Sequence, residues 1–272
     1  MKKTILILSA VAVLFIGCDK ISPDNYTQGS SSGSSNWSNV NVHRAFVEKY
    51  TGPKCKNCPT ADVTLDAAHH QFGDQLVIIS INHPTGQGVP WADNPDLRTD
   101  DGTAWAQYFG ISELPSAYLN RGTHLYTGSM SEIVNDIEKA IAQTAQAGIS
   151  MTATADGNEI SISVDVELYT QISDGLTLTL ALTEDSLIYK QSMPGETEPD
   201  EHYVHNHMLR DVITNTWGDD IPMEGLAGEH KIGRFTYTVT NDDIKLENCH
   251  IVALLSRKSD RSVVNCIETP IN

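Results

Sequence analysis

The stretch LVIISIN at residues 76–82 limits the possible folds more than any other, because a near-continuous apolar strand has no face to give to solvent. Such a strand needs cover on both sides, as in a sheet with helices packed above and below it. The flanking pattern agrees. NVHRAFVEKY (41–50) reads as a strand, and Ala61, Leu65, Ala68 and Phe72 recur at helical spacing until Gly73. A long polar loop leads to a short helix near 104–109, then to strands at 116–120 and 124–127 around the turn 121–122. A last helix turns Ile133, Ile137 and Ile141 inward. The expected order is β-α-β-α-β-β-α.

Near Gly148 the pattern changes to a period of two. ISMTATADGNEISISVDVELY (149–169) reads as a hairpin turning at Asp156-Gly157-Asn158, with Ile160, Ile162, Val164, Val166 and Leu168 on one face. LTLTLALTED, KIGRFTYTVT, HIVALLS and RSVVNCI read as further strands. Antiparallel strands with one apolar face need a second layer, and a β-sandwich of immunoglobulin-like architecture is the economical solution. The fold class expected is therefore α+β over residues 40–148, then all-β over 149–272.

The first residues, MKKTILILSAVAVLFIGC, set Lys2 and Lys3 before an apolar run too short for a comfortable membrane span. The run ends in Phe15-Ile16-Gly17-Cys18, which resembles a bacterial lipobox with Phe15 in place of the usual leucine. Residues 1–18 are expected to be a lipoprotein signal and Cys18 the lipidated residue; a plain signal peptide or an N-terminal helix are the alternatives. Acyl chains at Cys18 would anchor the protein without a spanning helix, at about 0.8 kcal/mol per buried methylene. Residues 19–39 are rich in Ser, Gly and Asn and read as a flexible stalk. The net charge of -17, more negative still without Lys2 and Lys3, speaks against nucleic acid as a partner.

Five cysteines are present, and two of them stand three positions apart in GPKCKNCP (52–59). They fall where a strand ends and a helix begins, so unpaired helix N–H groups favour thiolate over thiol at Cys55. Lys54 and Lys56 act in the same direction, and Pro59 suits a first helical turn. Cys55 is expected to attack a substrate disulfide and Cys58 to resolve the mixed disulfide. A zinc site lacks a second Cys-x-x-Cys, so no metal is expected. A permanent structural bridge suits an exported chain, although so small a loop removes little unfolded-state entropy. A decayed redox site on a binding protein stays open.

The motif and the order of elements over residues 42–147 resemble the thioredoxin superfamily. The resemblance implies a proline facing the cysteine pair, at Leu114-Pro115, and a buried acid assisting proton transfer to the resolving cysteine, at Glu48, one residue out of step. VEKYTGPKCKNCP, DLRTDDGTAWAQYFGISELPSAYLNR and HYVHNHMLRDVITNTWGD together are similar to a narrower family, the Bacteroidetes lipoproteins related to the 28-kDa outer membrane protein. That resemblance implies an outer membrane lipoprotein, periplasm-facing or at the cell surface, with a thioredoxin-like domain followed by a β domain. It implies little about chemistry.

Three other groups stand out. His83, Trp91 and Arg98 are placed to form a substrate-facing rim, with ordinary loop packing the alternative. His202, His205 and His207 suggest a divalent ion, but more simply hydrogen-bond to the framework. Cys249 and Cys266 flank HIVALLSRKSDRSVVN, a hairpin whose pairing brings them near one another, as a disulfide or as two buried thiols. No Gly-rich phosphate loop or His-Glu-x-x-His occurs, so no cofactor is expected and any enzyme chemistry is thiol chemistry. The expected partners are exported protein thiols or disulfides, or a surface protein if the first domain is only a scaffold, with the membrane engaged through the lipid.

Overall fold

The computed structural model describes residues 22–29, 42–125 and 130–272. The signal segment and Cys18 lie outside the described residues. The chain is mixed α/β and rich in strands. Through residue 148 it runs β2 (Ala45–Thr51), α1 (Cys58–Phe72), β3 (Leu76–Asn82), α2 (Asp100–Tyr108), β4 (Ser116–Leu119), β5 (Thr123–Leu125) and α3 (Met130–Ile141), preceded by a short β1 (Tyr26–Gln28). Strands then dominate: β6 (Ala147–Asp156), β7 (Glu159–Leu168), β8 (Leu176–Glu184), β9 (Leu187–Ile188), β10 (Val204–His205), β11 (Met208–Val212), β12 (Asp219–Asp220), β13 (His230–Thr238), β14 (Cys249–Arg257) and β15 (Val263–Pro270).

One nine-stranded sheet runs β15-β14-β8-β11-β3-β2-β4-β5, with β12 beside β8. β3 is buried along its whole length and lies parallel to β2 on one side and β11 on the other, as its apolar sequence requires. The sequence suggested a β-sandwich standing apart after residue 148; instead, sheet pairing crosses that boundary. β11, which follows the His-rich stretch, pairs with both β8 and β3 and so covers an edge that β3 would otherwise expose.

A second, four-stranded sheet, β1-β13-β7-β6, packs on β8 and β14 through Ile162, Val164, Val166, Leu178, Leu180, Ile251 and Ala253. On the other half of the same large sheet, α1 and α3 bury Leu65, Ala68, Ile133 and Ile137 against β2, β3 and β4. The opposite face is covered by α2, whose Trp105 packs with Phe46, Ile79, Ala181 and Val252 from both halves. α2 starts at Thr99, whose hydroxyl accepts the Gly102 N–H at 2.9 Å, with Asp100 and Asp101 in its first turn.

One further expectation is revised, and one open alternative is resolved. Tyr26–Gln28, inside the expected stalk, pairs with β13, and the Tyr26 ring lies 5.6 Å from that of Phe235. Cys249 and Cys266 are free and buried, not bridged. The register sets Cys266 opposite Leu254, an odd number of positions from Cys249, so the two thiols project from opposite faces of the sheet into different cores.

Candidate functional site

β2 delivers the chain to Gly52, where a Cβ would come within 2.5 Å of the Gln87 carbonyl oxygen, so only glycine fits this close approach. The Cys55 N–H then bonds back to the Gly52 carbonyl and the Lys54 N–H to that of Gln87, both at 3.0 Å. Cys58 opens α1 with Pro59 behind it, as the sequence suggested. Cys55 and Cys58 form a disulfide with a Cα separation of 5.4 Å. The bridge is not open to solvent: Cys55 is 1% exposed and Cys58 0%.

The second half of the chain packs on this loop. The buried Gln191 side-chain amide donates to the Cys55 carbonyl at 2.9 Å and lies 3.3 Å from that of Gly52. The Ser192 N–H donates to the Pro53 carbonyl at 2.8 Å, and Lys56 Nζ reaches the Glu196 carbonyl at 2.8 Å. Nothing in the local sequence QSMPGE marks these residues, because the contacts span well over one hundred positions.

The other expected site residues divide. The Leu114–Pro115 bond is cis. A shallow cleft of about 390 Å³ runs between residues 83–87 and 112–114, beside the cysteine loop. Trp91 stands near that loop, with Lys54 Nζ 5.6 Å from its ring centre. His83 is pinned between main-chain carbonyls, Nε2 3.0 Å from that of Ile111 and Nδ1 3.1 Å from that of Thr85. Arg98 is already engaged with Asp96, at 2.6 and 2.8 Å, and with the Pro84 carbonyl, so its fork is not free for a substrate carboxylate.

Glu48 is fully buried but not brought to the cysteines' side of the sheet. Strand alternation turns it, with Phe46 and Tyr50, toward α2, whereas α1 lies over Ala45 and Val47. There it accepts from Arg121 Nε at 2.7 Å and from the Tyr50 hydroxyl. Burial, and secondarily Glu48, hold the Tyr50 phenol far above its ordinary range. The Arg121 guanidinium is 4.6 Å from the Trp105 ring centre and 5.2 Å from that of Trp217. The ionisable pair on the α1 side is Lys49 with Asp62, one helical turn beyond Cys58, and Asp62 also accepts from the Tyr203 hydroxyl at 2.8 Å. Desolvation raises the nearby Asp66, with Lys49 opposing it.

The remaining thiols and imidazoles are constrained by burial. It pushes the Cys249 thiol up to about 12 and raises Cys266 as well, which suits structural, unreactive cysteines. His205 stacks on Tyr189 at 4.0 Å and is pushed down to about 4. His207 is also lowered to about 4, with its Nδ1 3.8 Å from Asp185, and His250 approaches the same carboxylate at 3.7 Å. His202 sits in a turn closed by Asp200.

Fold and site together define a strand-rich α/β protein in which a disulfide at the start of a helix is covered by a later segment of the chain. Residues 102–272 match the family model described as outer membrane protein Omp28, and the chain belongs to that family of outer membrane proteins. HBP35 of Porphyromonas gingivalis is similar over 85% of this chain and 76% of its own, at 18% identity and a TM-score of 0.68. Protein AGR_C_4864 from Agrobacterium tumefaciens is similar over 84% and 94%, at 16% identity and a TM-score of 0.53. At such identities the likeness is one of fold. No curated protein matches the sequence.

Proposed function

We propose that this outer membrane lipoprotein carries a thioredoxin-like module over residues 40–148 and exchanges thiols and disulfides with exported proteins through Cys55 and Cys58. The module reading is supported by the order β2-α1-β3-α2-β4-β5-α3, with β3 parallel to β2 and β4 and β5 antiparallel beside it. The immunoglobulin-like reading of residues 149–272 is supported by the two antiparallel layers that enclose the second core.

One observation carries the functional reading: the bridge ties Cys55 to Cys58, the first residue of a fifteen-residue helix, where the positive end of the helix dipole favours thiolate once the bond is reduced. In the reducing direction the Cys55 thiolate attacks one sulfur of a substrate disulfide, forming a mixed disulfide and releasing one substrate thiolate. The Cys58 thiolate then attacks Cys55, the intramolecular bond re-forms, and the second substrate thiolate leaves. Substrate is reduced and the pair oxidised; the reverse sequence oxidises a substrate dithiol. Pro115 shapes the approach beside the cleft at 112–114. Glu48, committed to Arg121 and Tyr50, is not assigned the proton transfer.

The test is to equilibrate the protein in glutathione or dithiothreitol buffers and count free thiols after alkylation. A potential between about -270 and -120 mV, with turnover lost in Cys55→Ser, supports exchange. A pair locked below about -300 mV, or undiminished turnover in Cys55→Ser, overturns it. A second reading, a surface-binding lipoprotein using the module as scaffold, is favoured by the burial of both sulfurs. It requires partner binding to survive removal of both cysteines.

A further inference from the structure

We infer that residues 190–200 form an autoinhibitory strap over Cys55–Cys58, one that excludes folded protein thiols until it lifts; the inference rests on the exchange reading. Three main-chain carbonyls of the cysteine loop, those of Gly52, Pro53 and Cys55, receive donors from this strap. A polypeptide that docks on this loop would meet the same main-chain acceptors. Strap and polypeptide substrate therefore compete for one set of partners, and both cysteines stay inaccessible while the strap holds them.

The strap is built to move as a unit. Its ends are fixed by the β9–β10 ribbon, by Lys190 paired with Asp93 and Glu201, and by Tyr203 on Asp62. Gln191 and Asp200 bridge its neck. Its middle, Pro194 to Glu198, is exposed, contributes no side chain to the core, and contains Gly195 at a φ of 77°. Lifting it costs a few hydrogen bonds and no large apolar surface, so opening is local and low in free energy. A small dithiol needs only a narrow opening to attack Cys55, forming a mixed disulfide as Cys58 leaves as thiolate; its second thiol then attacks its own sulfur in the mixed disulfide, closing a cyclic disulfide as Cys55 leaves as thiolate. A folded protein dithiol oxidised in the same way needs the strap fully displaced.

The experiment uses the full chain in detergent. Reduction of Cys55–Cys58 is followed by thiol alkylation with dithiothreitol and, separately, with reduced thioredoxin as the protein dithiol. Wild type is compared with Gln191→Ala and with a strap shortened by replacing residues 191–199 with a short Gly-Ser turn, melting curves confirming that each is folded. The expected result is that the protein dithiol reacts about tenfold faster with both variants, the change set by losing one or two hydrogen bonds of the closed state, while the dithiothreitol rate changes less than about threefold. Unchanged protein-dithiol rates, or equal acceleration of both reductants, overturn the strap. If rates respond as expected but the potential lies below the exchange range, the strap stands as a shield and the exchange reading falls. An in-range potential with unmoved rates removes the strap alone.

Discussion

At Glu48 a carboxylate, a guanidinium and a phenol are sealed together, with the Glu48 and Arg121 side chains both 0% exposed. Removing one partner of such a pair leaves the other charge uncompensated, so Arg121→Ala should cost about 3–5 kcal/mol in urea unfolding. Glu48→Gln should leave the pH profile of thiol exchange unchanged, because Glu48 faces α2; a profile that moves would return it to the reaction. A separate pH response comes from Glu268, raised to about 8 by burial, with Asp185 adding to it. Its folded value lies above its unfolded one, so its contribution is fully present below about pH 4.3 and is lost as pH rises through 8. His205 and His207 act oppositely: lowered to about 4, they favour the fold above about pH 6.5 and lose that contribution as pH falls through 4. Glu268→Gln should therefore raise the melting temperature at pH 8.5 more than at pH 5, a difference readable by calorimetry. The acid at Glu48 was legible in the sequence as a candidate, but its partner lies 73 positions away in what read as an ordinary turn.

At the scale of elements, the cysteine pair, the helix behind it and the strand LVIISIN were legible because each is a local pattern: a spacing, a period, a run. β11 and Gln191 were not, since a short mixed strand such as MLRDV owes its place to the open edge of β3 and not to its own periodicity. The choice between a bridge and two buried thiols at Cys249 and Cys266 hung on register, which turn residues alone left uncertain and which determines the face of every side chain. Free thiol counting in denaturant without reductant should find Cys249 and Cys266 alkylated and Cys55 and Cys58 protected. β1 is the other element that its sequence concealed. Deleting residues 22–28 removes three paired positions from the β13 edge, and deuterium exchange should rise over residues 230–234 while β7 stays protected by β6 and β13.

For the whole molecule the continuous sheet is decisive. β3 belongs to the cysteine-bearing half, β8 and β14 to the β-rich half, and β11 joins them by pairing with both β3 and β8. Trp105 on α2 packs against residues of both halves, and its indole N–H reaches the Thr216 carbonyl at 2.7 Å. Neither half can open without exposing an unpaired strand edge and part of a shared core. Residues 42–272 should therefore unfold in one cooperative transition, with near-ultraviolet and far-ultraviolet signals coinciding in urea; two separated transitions would show that the halves are independent. The same reasoning sets the outcome for residues 42–148 alone. That fragment loses β11 from the edge of β3 and the strap from the disulfide, so it should associate through the uncovered edge and expose Cys55 to alkylation once reduced. A monomeric fragment as stable as the parent would mean that the shared sheet adds nothing to the cysteine-bearing half.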